Sequence, residues 1–247
     1  MLDLIIETHV GLQRQGPGSP EATLKALGFL DDLGKDAHIL DLACGTGGQT
    51  MVVAQNIPGD IIGLDLIPAF IDVFNKNATE QGLSKRVHGI VGSMDDLSFE
   101  NETFDLIWCE GAIDNIGFEN GMSYWNSFIK PGGYIAVTCP SWFTNDRPSE
   151  IEEFWNSAVG SLGTVGQNID IMLNTGYSFI AAFVLPDKCW TYNYFAPRDA
   201  AEQALLKKYP GNEAVEAYIA ADNYEAELFS KFSQYYGYAF YIGQKQS

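Results

Sequence analysis

Short apolar runs alternate with longer amphipathic stretches through the first two thirds of this chain of 247 residues. Short apolar runs bounded by turn residues are typical of buried strands, whereas apolar positions spaced at about 3.6 residues are typical of helices. Five strands are predicted in this part, at residues 38–43, 60–65, 87–92, 104–110 and 134–139. The predicted helices run from Gly45-Thr46-Gly47-Gly48 to about Asn56, from Pro68 to Gln81, and from about Asn120 to Lys130, before a turn at Pro131-Gly132-Gly133. These repeated units predict an α/β fold, a parallel, doubly wound sheet with helices on both faces.

The pattern changes after Cys139. Further helices are predicted at residues 150–160, 168–175, 198–209 and 212–235, and further strands at 177–185 and 237–242. Loops in compact domains rarely exceed about 15 residues, so the long helical segment before the last strand is expected to be functional. We expect residues 1–36 to form an N-terminal helical segment, and residues 37–186 and 237–247 to form one domain. Residues 187–236, here called the cap, are expected to be a helical lid over the carboxyl edge of its sheet.

A glycine-rich turn follows the first predicted strand, in the run Asp41-Leu42-Ala43-Cys44-Gly45-Thr46-Gly47-Gly48. Glycines let a backbone turn tightly and approach a ligand closely. The first N–H groups of the helix that follows can bind a carboxylate, while Asp41 suits a cationic amino group. S-adenosylmethionine (SAM) carries both groups, whereas a dinucleotide pyrophosphate would be repelled by Asp41, and the spacing differs from G-x-G-x-x-G.

Two further elements follow in the order that a nucleoside ligand requires. Asp65 ends the second predicted strand, where a carboxylate can accept hydrogen bonds from both ribose hydroxyls. The loop Gly92-Ser93-Met94-Asp95-Asp96-Leu97 follows the third strand and offers polar and apolar groups to an adenine. Each feature alone is weak evidence for a SAM site. The prediction rests on the order and spacing of these features along the chain.

From Ala37 to Cys139 the chain resembles the class I SAM-dependent methyltransferases, especially the small-molecule group called type 11. The runs that carry the resemblance are Leu40 to Gly47, Gly63-Leu64-Asp65, Gly92 to Phe99, Phe104 to Trp108, and Lys130-Pro131-Gly132-Gly133. The resemblance implies a Rossmann-like sheet of seven strands whose last strand is antiparallel. It also implies that SAM is bound by Asp41, Ala43, Gly45, Thr46, Gly47, Asp65, Leu66, Ser93, Met94 and Glu110. Ala43 and Ser93 depart from the family, which more often has Gly and Asp there.

Methyl transfer is an in-line displacement, so the protein must mainly align the acceptor and exclude water. No catalytic residue is assigned from the sequence, because a base is needed only where the acceptor must lose a proton. Residues proposed to contact the acceptor are Asp114, Trp142, Trp190 and Tyr194, although aromatic residues at this density more often pack in a core. The absence of an Asn/Asp-Pro-Pro-aromatic motif after the fourth strand disfavours methylation of nucleobase or glutamine amides.

Upstream of the first predicted helix of the N-terminal segment lies Arg14-Gln15-Gly16-Pro17-Gly18-Ser19. This run has two interpretations: it folds over the cofactor with Arg14 near its carboxylate, or it is a turn before a helix that Ser19 and Pro20 begin. The sequence leaves both open.

The composition of the chain limits the kinds of molecule that we expect it to bind. A net charge of −18 opposes binding to nucleic acid and to anionic membranes, and a small-molecule acceptor is what the resemblance implies. The four cysteines and three histidines are scattered, so no metal site is expected. No secretory signal is recognised in the first residues, so the cytoplasm is the expected location. The oligomeric state cannot be read from the sequence.

Three functions therefore remain open: a SAM-dependent methyltransferase, a SAM-binding protein without catalysis, and a nicotinamide-dependent oxidoreductase. The loop spacing disfavours the last of these.

Overall fold

A single seven-stranded sheet organises the chain in the computed structural model, which describes residues 2–31 and 33–246. Its strands are β1 (His38–Leu42), β2 (Asp60–Asp65), β3 (Val87–Val91), β4 (Phe104–Glu110), β5 (Ile129–Trp142), β6 (Tyr177–Val184) and β7 (Tyr236–Lys245). The order across the sheet is β3-β2-β1-β4-β5-β7-β6. The first five strands pair in parallel, whereas β7 is antiparallel to both β5 and β6. The predicted fold class, with an antiparallel last strand, is confirmed.

Helices cover both faces of this sheet. They are α1 (Leu2–His9), α2 (Pro20–Leu27), α3 (Gly48–Asn56), α4 (Pro68–Glu80), α5 (Phe118–Asn126), α6 (Ser149–Ala158), α7 (Val165–Asn174), α8 (Lys188–Trp190), α9 (Ala196–Lys208) and α10 (Glu213–Phe232). Several begin at side chains suited to that position: Ser19 caps α2 ahead of Pro20, and Thr164 forms a capping box with Gln167 at α7.

The strand order reverses between β1 and β4, and in sheets of this kind the crevice at such a point binds ligands beyond the carboxyl ends of the strands. Tight packing below the crevice holds these ends in place. Phe74 of α4 is fully buried, and a Cβ atom at Gly63 of β2 or at Gly89 of β3 would lie 2.5 or 2.7 Å from its ring. The glycines of two neighbouring strands therefore make room for one aromatic anchor.

The sequence prediction was wrong at one turn. Pro131-Gly132-Gly133 lies inside β5, which already pairs with β4 at Ile129, and is not a turn before the strand. Phe104 pairs with Ile129 but Leu106 pairs with Tyr134, so the extra residues form a bulge. Gly132 has a φ of +76°, which explains why a glycine stands there.

The cap docks onto the N-terminal segment. α9 packs against α1, and the buried Arg198 of α9 joins α10 through a hydrogen bond of 2.7 Å from Nη1 to Glu225 Oε2. The Tyr218 hydroxyl of α10 lies 3.0 Å from Thr8 Oγ1 of α1. Among the described residues, no helix combines the length and apolar character needed to span a membrane.

Candidate functional site

The turn after β1 adopts the conformation that its glycines suggest. Ala43, Gly45 and Gly47 have φ values of +52°, +55° and +87°, all in the left-handed region. Glycine adopts this region freely, whereas alanine does so at some cost, so Ala43 is the strained member. Residues 43–47, here called the glycine loop, lead into α3, whose first residue is Gly48.

Asp65 at the end of β2 holds the glycine loop in place. Its Oδ2 accepts a hydrogen bond of 2.9 Å from Gly45 N, and its Oδ1 accepts one of 2.9 Å from Ile67 N. Burial raises the pKa of Asp65, while the backbone N–H groups of Ile67, Gly45 and Leu66 act in the opposite direction. A carboxylate oxygen can accept two hydrogen bonds, so the side chain retains capacity for a ligand.

Two adjoining cavities lie at this edge of the sheet. The inner cavity, of about 130 Å³, is lined by residues 14–17, Ala43, Gly45, Asp65 and residues 110–112. The outer cavity, of about 410 Å³, is lined by residues 64–67, residues 92–95, Ala112, Asn115 and Ile116. Both are bounded by Ala43, Asp65 and Ala112, so they form one elongated space over the ends of β1, β2 and β4.

The residues predicted to contact an adenine line the outer cavity. Leu66 is 69% exposed, an unusual state for a leucine, and it lines this cavity with Ser93 and Met94. Trp125 Nε1 donates a hydrogen bond of 2.8 Å to the Met94 carbonyl, which fixes the loop after β3. Ser93 Oγ donates to Asp95, a residue of the same cavity to which the sequence analysis gave no role.

Residues 10–19, here called the strap, cross over the glycine loop. Gln15 Oε1 accepts a hydrogen bond of 3.0 Å from Thr46 N, and Thr46 Oγ1 donates one of 2.8 Å to the Leu12 carbonyl. Ser19 also caps α2 ahead of Pro20, as the second interpretation of this run predicts, while the placement of Arg14 near a cofactor carboxylate stays a prediction. The sequence analysis gave no role to Gln15, although it considered the run Arg14 to Ser19 that contains this residue.

Glu110, at the end of β4, is tied to the strap. Arg14 Nη1 donates to Glu110 Oε2 at 2.6 Å, and Thr23 Oγ1 and Trp108 Nε1 donate to Oε1 at 2.7 and 2.9 Å. The Arg14 and Glu110 side chains are only 7% and 3% exposed, so this is a buried ion pair. Glu110 lines the inner cavity, while most of its hydrogen-bonding capacity is already used.

Asp41 lies buried beneath the glycine loop. Its Oδ2 accepts a hydrogen bond from Thr50 Oγ1, whereas its Oδ1 has no hydrogen-bond partner among the described residues. Burial raises the pKa of Asp41 to about 8, and the negative charge of Glu110 acts in the same direction. The carboxyl is therefore largely protonated at pH 7 in the free protein.

The aromatic residues proposed for the acceptor pocket lie mainly in the core. Trp142 and Trp190 are 2% and 1% exposed, and Trp190 stacks on Phe229 with ring centroids 4.6 Å apart. Neither tryptophan lines the cavities described here, and the Tyr194 hydroxyl accepts a hydrogen bond of 3.0 Å from Arg198. By contrast, Tyr192 is 77% exposed and lines a cavity of about 370 Å³ between the strap and the cap. Their burial favours a packing role for both tryptophans.

Comparisons with known proteins relate the chain to methyltransferases. Residues 39–133 match a family model described as a methyltransferase domain. Over 86 residues the chain is 38% identical to demethylmenaquinone methyltransferase of Lactiplantibacillus plantarum, which covers 34% of this chain and 36% of that protein. Over 182 residues it is 25% identical to sarcosine/dimethylglycine N-methyltransferase of Aphanothece halophytica, which covers 70% of this chain and 65% of that protein. The matches therefore span less than two thirds of these relatives.

The fold is shared more widely than the sequence. A SAM-dependent methyltransferase from Geobacter sulfurreducens, solved with S-adenosylhomocysteine (SAH), superimposes with a TM-score of 0.83 at 18% identity, covering 99% of this chain and 98% of that one. This likeness shows the fold, and the matched domain supplies the sequence relationship. Residues 39–133 therefore match a methyltransferase domain, within a chain that has the fold of a known SAM-dependent methyltransferase.

Proposed function

We propose that this protein transfers a methyl group from SAM to a small-molecule acceptor. The observation that carries the proposal is the elongated space formed by the inner and outer cavities, which Asp65 and the glycine loop border together. Its combined size falls within the range of about 300–1,000 Å³ typical of small-molecule sites.

The charges around this space fit SAM better than a dinucleotide. The carboxyl groups of Asp41, Asp65 and Glu110 lie at the ends of β1, β2 and β4, and the guanidinium of Arg14 is paired with Glu110. Asp41 is largely protonated at pH 7 in the free protein and Arg14 neutralises Glu110, so a cationic ligand can restore the charge of Asp41, whereas a pyrophosphate would meet the carboxyl group of Asp65. Asp41 Oδ1 has no hydrogen-bond partner among the described residues, and the ammonium group of SAM could donate a hydrogen bond to it.

The proposed contacts follow the order of the cavities. The methionine half of SAM would be held by residues of the turn after β1 and of the end of β4, namely Asp41, Ala43, Gly45, Thr46, Gly47 and Glu110. Asp65 would hold the ribose, and Leu66, Ser93 and Met94 would hold the adenine. SAM supplies a methyl group on a positively charged sulfur, and the protein's part is to align the acceptor and exclude water.

The acceptor is proposed to be a small molecule that enters between the strap and the cap. The relatives whose names are given above act on small molecules, and the net charge of −18 opposes a nucleic-acid acceptor. In this proposal the cap, residues 187–236, is a lid of the domain formed by residues 37–186 and 237–247. Trp190 and Tyr194 would then support the lid from within, and Trp142 would pack beneath it.

Formation of SAH from SAM in the presence of a panel of small hydroxyl, amine and thiol compounds tests this function. Turnover with one class of acceptor is expected. The alternative, a SAM-binding protein without catalysis, predicts tight binding of SAM and no SAH with any member of the panel.

Replacing Asp65 by alanine is expected to weaken SAM binding by about 2–3 kcal/mol, the scale of charge-assisted hydrogen bonds to two hydroxyls. The loss of the anchor at Gly45 N adds to the effect. Isothermal titration calorimetry measures the affinity, and Asp72→Asn on the exposed surface of α4 is the control. Equal SAM affinity of Asp65→Ala and the wild type would contradict the assignment of Asp65.

Binding of SAM near Asp41 is expected to release a proton at pH 7. Burial raises the pKa of Asp41 to about 8 in the free protein, and a nearby cation lowers it again. The release should shrink as the pH rises above about 8, where the carboxyl is already ionised. Calorimetry in buffers of different ionisation enthalpy counts the protons, and Asp41→Asn should release fewer than the wild type at pH 7. Equal counts in both proteins would show that SAM does not act on this carboxyl.

A further inference from the structure

The amino-acid end of SAM needs hydrogen-bond partners, because the N–H groups of a buried ammonium must find oxygens to accept them. Most polar side chains near the site are already used or lie elsewhere. Glu110 accepts hydrogen bonds from three side chains, and Gln15 Oε1 accepts one from Thr46 N. Asp114, which the sequence analysis proposed as a contact of the methyl acceptor, lies in a 3₁₀ turn beyond β4 and lines neither the inner nor the outer cavity. Gln49 does line the inner cavity, and the sequence analysis gave it no role.

Gln49 is the second residue of α3, next to Gly48. Helical side chains lean toward the N-terminus of their helix, so this one lies back over the glycine loop. The residue is only 5% exposed, which is unusual for a glutamine, because burying an amide without partners costs free energy. Its Nε2 donates a hydrogen bond of 3.1 Å to the Cys44 carbonyl. This bond fixes the direction in which the amide points.

The oxygen of the same amide is free. Gln49 Oε1 accepts no hydrogen bond from a described residue, and it is not sealed from solvent, as the partnerless Asp41 Oδ1 is. Because Gln49 lines the inner cavity, its Oε1 is open to that space. An amide oxygen has two lone pairs, so it can accept hydrogen bonds from a ligand there.

The surroundings of Gln49 Oε1 favour a cation. Burial raises the pKa of the neighbouring Asp41 to about 8, while the Thr50 hydroxyl and the Gln49 amide act in the opposite direction. A cation beside the amide would stabilise the charged form of Asp41, whereas a carboxylate would disfavour it. A carboxylate would also meet the lone pairs of Oε1 without a proton to share. The ammonium group of SAM therefore suits this oxygen better than the carboxylate of SAM does.

We propose that Gln49 is a specificity-determining residue, which accepts a hydrogen bond at Oε1 from the ammonium group of SAM and so selects nucleosides that carry an amino-acid chain. This proposal rests on the proposed function and adds a contact at the end of the ligand remote from Asp65. SAH keeps the ammonium group and is bound well. A nucleoside thioether without that group, 5′-methylthioadenosine, is bound weakly.

The first test compares SAH with 5′-methylthioadenosine, which has the same nucleoside and sulfur but no amino acid. Gln49→Met keeps the length of the side chain and removes its oxygen. The ratio of the affinity for SAH to that for 5′-methylthioadenosine, measured by calorimetry, should fall about 10- to 100-fold in this variant, the scale of one hydrogen bond to a charged group. Gln55→Met, at an exposed position of α3, is the matched control and should leave the ratio unchanged.

The ratio separates recognition of the ligand from support of the glycine loop. Loss of the hydrogen bond to the Cys44 carbonyl would disturb the loop and weaken the binding of both ligands by the same factor. An unchanged ratio in Gln49→Met would therefore overturn the proposed role. Failure of the wild type to bind SAM or SAH would refute the proposed function, and this proposal with it.

The second test identifies the group of the amino acid that Gln49 contacts. Decarboxylated SAM keeps the ammonium group and the positively charged sulfur but lacks the carboxylate. Gln49→Met should weaken the binding of SAM and of decarboxylated SAM by the same factor, because the contact is with the ammonium group. A loss confined to SAM would show that Gln49 contacts the carboxylate, and it would overturn the proposal.

Discussion

Replacing Gly45 by valine is expected to abolish detectable SAM binding. Gly45 has a φ of +55°, and a Cβ atom there would lie 2.0 Å from Gln15 Oε1, which accepts the Thr46 N–H. A branched side chain would displace the strap and fill the inner cavity, and it would disturb the hydrogen bond from Gly45 N to Asp65. Calorimetry should show affinity lowered by at least about 100-fold, which corresponds to roughly 2.7 kcal/mol.

Gly82→Val is the matched control for this experiment. Gly82 has a similar φ of +69°, but a Cβ atom there would meet nothing within 4 Å. Both variants carry the strain of a β-branched residue at positive φ, so both should lose stability. Only Gly45→Val should lose SAM affinity. Normal SAM binding by Gly45→Val would mean that the glycine turn serves folding alone.

Replacing Arg14 by alanine is expected to destabilise the fold by about 3 kcal/mol. Removing one partner of a buried ion pair leaves the other charge uncompensated, at a cost of about 3–5 kcal/mol. We expect the lower end of this range of destabilisation, because Thr23 and Trp108 still donate hydrogen bonds to Glu110. For a chain of this size, Tm should fall by roughly 6–12 °C in a thermal melt.

An exposed ion pair provides the comparison. Lys76 and Glu80 lie 3.7 Å apart on α4 with side chains 70% and 62% exposed, so Lys76→Ala should change stability by less than about 1 kcal/mol. Adding Glu110→Gln to Arg14→Ala should recover part of the loss, because the unpaired charge is removed. An Arg14→Ala protein as stable as Lys76→Ala would show that the pair does not hold the strap.

Local patterns were sufficient to predict most of the sheet. The bounds of β2 and β4 agree with their apolar runs, and Asp65 lies where its strand was predicted to end, beside the glycine loop. These features depend on neighbours within one strand–turn–helix unit, so periodicity and turn residues encode them. The bulge at Pro131-Gly132-Gly133 was missed because the same residues are typical of a turn.

Contacts between distant segments could not be predicted in the same way. Arg14 and Glu110 are 96 residues apart, and Gln15 and Thr46 are 31 apart, so no periodicity records their pairing. The aromatic cluster at the start of the cap shows a second limit. Its composition does not distinguish the buried Trp190, at the end of α8, from the exposed Tyr192, which lies in the π-helical turn Thr191–Phe195.

Calorimetric titration of the protein with SAM, and separately with NAD, tests the central claim most directly. The carboxyl groups of Asp41 and Asp65, together with the glycine loop, predict saturable one-to-one binding of SAM and no measurable binding of NAD. Binding of NAD without binding of SAM would contradict the account, since a pyrophosphate would then occupy the space that we assign to the methionine half of SAM.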